Sequence, residues 1–145
     1  MGLVQQSLQQ VFSDTYALYL KTQNYHWNVT GLHFKSLHDM FEEQYDSLAE
    51  AIDELAERIR ALGEKTKASF TYFRDMTKIT EPDQQADAEA MLHDLLNSHE
   101  QLISSLEQAK KISGDQDDSV TEDMMIARLS AHQKVVWMLR ASLSR

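Results

Sequence analysis

The sequence predicts an all-α protein, and three observations support this. Its 145 residues include only four glycines and one proline, a composition that favours helices and leaves few places for tight β-turns. Apolar residues recur at steps of three and four through four long stretches, which is the spacing of helices with one buried face. One long mixed segment separates the second stretch from the third. We therefore expect residues 1–145 to form one domain built from four long helices.

The first two helices end at turns that contain glycine. The apolar spacing predicts helix A over residues 4–29, and Gly31 marks the turn that follows. A second amphipathic run predicts helix B over residues 34–62, with Gly63 as its C-cap. The core-facing stripe of helix A is Val4, Leu8, Val11, Thr15, Leu18, Thr22 and Tyr25.

The second half of the chain begins with a long connection. Residues 64–81 show no single period but carry an aromatic cluster, which predicts a short helix. A proline-containing turn at residues 80–83 predicts the start of helix C, which we expect to end near Ile112. A polar loop over residues 113–119 then precedes helix D, over residues 121–143. Four long helices with one long middle connection predict a four-helix bundle of the ferritin-like kind, in which a crossover replaces a tight loop.

Composition and charge limit the kinds of site that the chain can hold. It has no cysteine, so a metal would be bound by histidine, aspartate or glutamate. The net charge is −9 and no Lys or Arg precedes Lys21, which suits a surface that attracts cations rather than phosphate. No apolar run approaches the ~20 residues that cross a bilayer, and residues 1–10 lack a signal pattern. We therefore expect a soluble, cytoplasmic protein that does not enter a membrane.

Helix B carries a histidine and three carboxylates on the face opposite its apolar stripe. With His38 at 0° and about 100° per residue, Glu42 falls near 40°, and Asp53 and Glu57 fall between about 60° and 100°. The apolar positions between Leu37 and Ile59 fall between about 260° and 320°. The polar side chains are therefore not expected in the core of the bundle.

These side chains cannot close a metal site within one straight helix. Glu42 and Asp53 lie about 16 Å apart along the axis, whereas the ligands of one metal ion must converge within a few ångströms. If two copies of helix B pack antiparallel about a two-fold axis, the His38 end of one copy meets the Asp53 end of the other, and symmetry produces two such sites. His26, near the end of helix A, is placed to join from the same subunit as His38. A mixed imidazole and carboxylate site suits Fe(II).

A specific pattern of motifs runs through this part of the chain. It consists of His26-Trp27-Asn28, Gly31, His38, Glu42 and the run from Asp53 to Arg58. The pattern resembles the Dps family, the mini-ferritins named for DNA protection in starved cells, and the resemblance extends over the whole chain. One position departs from the family pattern, because Asp is more usual where Glu42 stands. The carboxylate there reaches one methylene further.

The resemblance implies an activity, a substrate and an assembly. It implies ferroxidase chemistry, in which two Fe(II) ions bind at each inter-subunit site and are oxidised together, with hydrogen peroxide preferred over oxygen. The implied assembly is a hollow dodecamer that stores ferric mineral and protects against oxidative stress. By resemblance, the iron ligands are His26, His38 and Glu42 of one subunit and Asp53 and Glu57 of its two-fold mate.

Three other interpretations stay open at this point. A nucleoid protein needs several phosphate contacts, whereas residues 1–20 carry no basic residue and the C-terminal end offers only Arg140 and Arg145, so we expect no DNA binding. A ferritin with its site inside one subunit needs Glu-x-x-His pairs, and no histidine here has a glutamate three residues before it. The third interpretation is a helical bundle that binds no metal, and an iron titration distinguishes it from an iron-binding protein.

The sequence makes less specific predictions for several further residues. Trp27 lies beside the iron site by resemblance or is a core aromatic. His99 is expected to be a hydrogen-bonded core residue, and Asp117, Asp118 and Asp123 are candidates for an entry pore. A row of acids on helix B either lines a shell interior, where it binds Fe(III), or is solvated: Asp39, Glu43, Asp46, Glu50 and Glu54.

Overall fold

Five helices make up the protein in its computed structural model, which describes residues 2–144. Met1 and Arg145 lie outside the described residues. Within residues 2–144 there is no strand, so the predicted all-α fold with a short helix in the long connection is confirmed. Within the same residues, none of the helices qualifies as a transmembrane segment. The helices are α1 (Leu3–Asn28), α2 (Phe34–Ala61), α3 (Phe70–Met76), α4 (Ala88–Asp115) and α5 (Ser119–Leu143).

The four long helices form a bundle in which α2 and α4 run parallel. Side-chain hydrogen bonds join Lys21 to Ser98 and Asp14 to Ser105, so α1 and α4 are antiparallel. Helix α1 is also antiparallel to α2, which follows it after a short turn. Helices α2 and α4 therefore point the same way, and the connection over residues 62–87 must return along the length of the bundle. Helix α3 lies in this connection and packs against α1.

The core is the one that the apolar spacing predicts. Every position of the predicted stripe of α1 is buried. The apolar positions of α2 are buried too, except Ile52, which is partly buried against the core. The core also encloses Lys21, whose Nζ donates to Asp94 at 3.0 Å and to Thr80 at 2.9 Å. Burial lowers the pKa of Lys21, and the ion pair with Asp94 opposes this effect and ties α1 to α4.

Glycine ends α2 as predicted. Gly63 has φ +94°, a left-handed conformation that costs glycine little because it has no Cβ. Its N–H donates to the Arg60 carbonyl, and the next N–H, that of Glu64, donates to the Ile59 carbonyl. These two hydrogen bonds satisfy carbonyl groups that the end of the helix would otherwise leave unpaired.

The predicted boundaries of helix C are wrong at both ends. Its start at residues 80–83 is displaced because Thr80 accepts a hydrogen bond from Lys21, and the N–H of Asp83 donates to the Tyr25 hydroxyl. These contacts hold the segment against α1, and α4 begins only at Ala88, where the Asp87 carboxylate caps the N-terminus. The helix then runs past the predicted end to Asp115, which shortens the predicted polar loop to residues 116–118.

Candidate metal centre

Two histidines meet where α1 ends and α2 begins. The rings of His26 and His38 stack with their centroids 3.8 Å apart and their planes 13° from parallel. The Nδ1 atom of each ring lies 2.7 Å from the backbone carbonyl oxygen of the other residue. A carbonyl oxygen only accepts, so both Nδ1 atoms donate, and in each neutral ring the lone pair is then on Nε2. A histidine that binds a metal commonly donates its other N–H to a carbonyl in this way.

Neighbouring aromatic rings fix the orientation of both imidazoles. Phe34 stacks on His38 at 5.0 Å, and Tyr45 meets the His26 ring edge to face at 5.2 Å. His26 itself is only 5% exposed. Burial, followed by the negative charge of Glu42 and Asp46, raises the pKa of Tyr45, so its hydroxyl stays protonated at neutral pH. The two rings are therefore held in place before any metal binds.

The three predicted carboxylate ligands lie along an exposed face of the same α2 helix. Glu42, Asp53 and Glu57 are all exposed, and none of them forms an ion pair within residues 2–144. Arg58, the nearest base in sequence, pairs with Asp118 at 3.0 Å instead. Within the described part of the chain, no three His, Asp or Glu side chains converge to hold a metal ion. One chain brings His26 and His38 together, and the shared site stays a prediction.

The other sequence-based expectations have mixed outcomes. Trp27 is 61% exposed, so its interpretation as a core aromatic is wrong for the single chain. Asp118 caps α5 by accepting from the Thr121 N–H at 3.0 Å, and it pairs with Arg58. Although partial burial acts to raise it, the pKa of Asp118 is lowered by the hydrogen bonds from Thr121 and by Arg58. Asp118 is therefore engaged within the chain, while Asp117 and Asp123 are exposed and the pore stays a prediction.

Within residues 2–144, one member of the acidic row on α2 forms an ion pair. Asp39 is half-buried and pairs with Lys35 at 3.1 Å, one turn earlier on the same helix. Its other members are exposed in the single chain. Exposure alone does not distinguish a shell interior from bulk water, so both interpretations of the row stay predictions.

The sequence-based interpretation missed a buried histidine pair. His99 is buried as expected, but its Nδ1 lies 2.9 Å from Nδ1 of His132, a residue with no predicted role. His132 is 1% exposed, and its Nε2 lies 3.0 Å from the Arg128 guanidinium. Burial, followed by the charge of Arg128, lowers the pKa of His99 to about 3, so its ring is neutral at physiological pH. The steps of three and four that link Met125 and Leu129 to His132 are the sequence signal from which its core position could have been predicted.

Comparison with known proteins fits this geometry. The family model for the ferritin-like domain matches residues 5–145. The chain is 34% identical over 133 residues to DNA protection during starvation protein 2 of Bacillus anthracis, a match that covers 92% of this chain and 91% of that protein. The chain belongs to the Dps family. Family membership supports a role in iron storage and protection.

Solved Dps structures share the fold along almost the whole chain. Dps from Staphylococcus aureus superposes with a TM-score of 0.95 at 34% identity, covering 98% of this chain and 95% of that one. Dps from Vibrio cholerae, described as a member of a broad superfamily of ferritin-like diiron-carboxylate proteins, superposes with a TM-score of 0.93 at 30% identity. That match covers 97% of this chain and 89% of the Vibrio chain.

Proposed function

We propose that this Dps-family protein is a ferroxidase that oxidises Fe(II) at sites shared by two-fold related subunits and stores the ferric product. The observation that carries the proposal is the His26 and His38 pair. Both Nδ1 atoms donate to carbonyl groups, so both Nε2 atoms are the ones left to bind a metal. The carboxylates exposed on α2, the helix that carries His38, supply the oxygen ligands that Fe(II) accepts beside imidazole.

The site that we propose has a ligand set drawn from two chains. The helical rise keeps Asp53 about 16 Å from Glu42 within one chain, so only a second α2 in antiparallel orientation places them together. Two Fe(II) ions bind there as substrate. The set is His26, His38 and Glu42 of one subunit with Asp53 and Glu57 of its mate.

Paired iron gives the reaction its protective character. Hydrogen peroxide accepts two electrons and two protons to give two water molecules, and two Fe(II) ions supply one electron each. A single iron would supply only one electron and release a hydroxyl radical. Oxidation of a pair with peroxide as the preferred oxidant therefore removes both Fenton reagents, and the Fe(III) that forms hydrolyses to mineral inside the shell.

Assembly into a shell, by family resemblance a dodecamer, is supported by apolar surface on the single chain. Leu32 is 96% exposed, Phe70 is 88% exposed and Trp137 is 65% exposed. Large apolar side chains that remain exposed on a monomer often mark a protein interface. Trp27 adds a further exposed ring next to His26 in the sequence.

Iron titration tests the proposed function. We expect Fe(II) added without oxidant to saturate at about two ions per inter-subunit site, and peroxide to oxidise it faster than air does. Equilibrium dialysis gives the stoichiometry, and stopped-flow absorbance of Fe(III) gives the rates. His33→Ala is the matched control, since His33 is an exposed histidine five residues before His38. Binding that never saturates contradicts the proposal.

Duplex DNA is expected not to bind at neutral pH and moderate salt. A chain with net charge −9 repels phosphate, and the described part of the C-terminal end offers only Arg140, which already pairs with Glu100. Arg145 lies outside the described residues. A gel-shift titration in the presence of a chelator measures this directly. A retarded band without divalent metal shows that the surface carries a basic patch that charge counting misses.

A further inference from the structure

Three polar side-chain atoms in the bundle core have no hydrogen-bond partner within residues 2–144. They are both amide atoms of Gln44 and Nε2 of His99. Gln44 is 6% exposed and His99 is 1% exposed. Buried polar groups in folded proteins are nearly always paired, because an unpaired one loses its hydration without replacement. Something other than these protein groups must therefore satisfy them.

The hydrogen bonds around His99 fix which of its nitrogens carries the proton. The Arg128 guanidinium only donates, so Nε2 of His132 accepts and Nδ1 of His132 carries the hydrogen. That hydrogen is donated across 2.9 Å to Nδ1 of His99. The neutral His99 ring then has its own hydrogen on Nε2, which is the atom without a partner. His99 therefore presents a donor to the core.

Gln44 and His99 lie at nearly the same height along the bundle axis, as their neighbours' contacts with α1 indicate. The Tyr19 ring meets that of Tyr45, the neighbour of Gln44, at 6.0 Å. Two residues along α1, Lys21 bonds to Ser98, the neighbour of His99, at 3.0 Å. Because α2 and α4 both run antiparallel to α1, Gln44 and His99 are each displaced by one residue from these contacts toward Leu20, so their heights agree to within about 3 Å at 1.5 Å per residue. Helices α1 and α5 each contact both α2 and α4, so α2 and α4 are diagonal and their buried side chains approach the bundle axis.

We propose that an ordered water molecule occupies this layer and bridges the two side chains. It accepts from His99 Nε2–H and donates to Gln44 Oε1, and the Gln44 amide N–H groups bind it or a second water. A buried water typically makes about three such bonds to otherwise unpaired groups. The ligand is neutral, because the His99 Nε2–H and the charge of Arg128 oppose a cation, while the unpaired Gln44 Oε1 needs a donor, which an anion lacks.

The water would complete a chain of hydrogen bonds from α5 through α4 to α2. Its members in order are Arg128, His132, His99, the water and Gln44. Other side-chain bonds from α2 to this half of the bundle lie near the ends of α2, at Arg58 and Met40. The proposed site therefore ties the middle of α2 to the opposite hairpin. It stands independently of the ferroxidase proposal.

Neutron diffraction from crystals of the intact protein exchanged into D₂O tests the site. We expect deuterium on Nδ1 of His132 and on Nε2 of His99, and a D₂O molecule within about 2.7 to 3.2 Å of both His99 Nε2 and the Gln44 amide. Gln44→Met should remove that molecule or move it away from α2, because the amide that binds it there is gone. The matched control is Gln9→Met, because Gln9 is a buried glutamine whose amide is already paired with the backbone of Lys67.

The wild-type crystal decides the matter even if Gln44→Met fails to assemble. Direct contact between the Gln44 amide and His99 Nε2 overturns the proposal, as does a layer without density between them. Deuterium on Nδ1 of His99 overturns it too, because the ring would then present an acceptor to the core. Persistence of the same molecule in place in Gln44→Met shows that Gln44 does not hold it.

Discussion

Mixing two inactive variants is expected to restore fast iron oxidation at about a quarter of the sites. His38→Ala and Asp53→Ala should each abolish rapid ferroxidation in their own homo-oligomers, because every shared site then lacks one ligand. When the two chains are unfolded and assembled together in equal amounts, about half of the two-fold pairs are mixed. One site of a mixed pair then carries both lesions and the other carries neither. Stopped-flow absorbance of Fe(III) measures the amplitude of the fast phase that returns.

The matched control combines His38→Ala with Glu42→Ala, which lie on the same side of the proposed site. Each site of such a mixed pair takes both positions from one chain, so each keeps one lesion and no activity returns. A site contained in one chain predicts no recovery in either mixture. If native mass spectrometry shows mixed pairs and the His38→Ala with Asp53→Ala mixture stays slow, the assignment of Asp53 to the partner is wrong.

The sequence predicts the long helices well because their formation depends on local periodicity. The stripe from Val4 to Tyr25 is continuous, and burial of one face is sufficient to place α1. The start of α4 is predicted less well because distant side chains determine it. Lys21 and Tyr25 bond to Thr80 and to the backbone of Asp83, and these long-range contacts override the helix start that proline indicates. Periodicity along the chain contains no information about such contacts.

The candidate site also has features that local spacing predicts and features that depend on long-range contacts. The common face of His38 and Glu42 follows from helical spacing alone. The crossed hydrogen bonds between His26 and His38 do not, because they depend on where the turn between α1 and α2 places two backbone carbonyl groups. Those bonds select the coordinating nitrogen, so the chemistry of the site is specified by the turn as well as by the residue types.

Acid is expected to destabilise the folded chain through His99. Its pKa is about 3 in the folded chain, against an ordinary value of 6.5, because burial disfavours the charged ring. Between these two values the unfolded chain binds more protons, so the free energy of unfolding falls as the pH falls and is fully retained above 6.5. Between pH 6.5 and 4.5 this amounts to about 2 kcal/mol per chain. Burial also lowers the pKa of His132, which adds to the loss in the same direction.

His99→Gln isolates this contribution, because the amide oxygen accepts from His132 and the amide N–H groups replace the Nε2–H donor without titrating. Denaturant unfolding at one protein concentration should show the wild type losing about 2 kcal/mol more than His99→Gln between pH 6.5 and 4.5. The control is His93→Gln, the same exchange at an exposed position of the same helix, whose curve should parallel the wild type because it leaves the buried His99 and His132 pair intact. Parallel curves for the wild type and His99→Gln would mean that the His99 ring is protonated in the folded bundle as readily as in the unfolded chain. The neutral pair in the core would then not be what limits stability in acid.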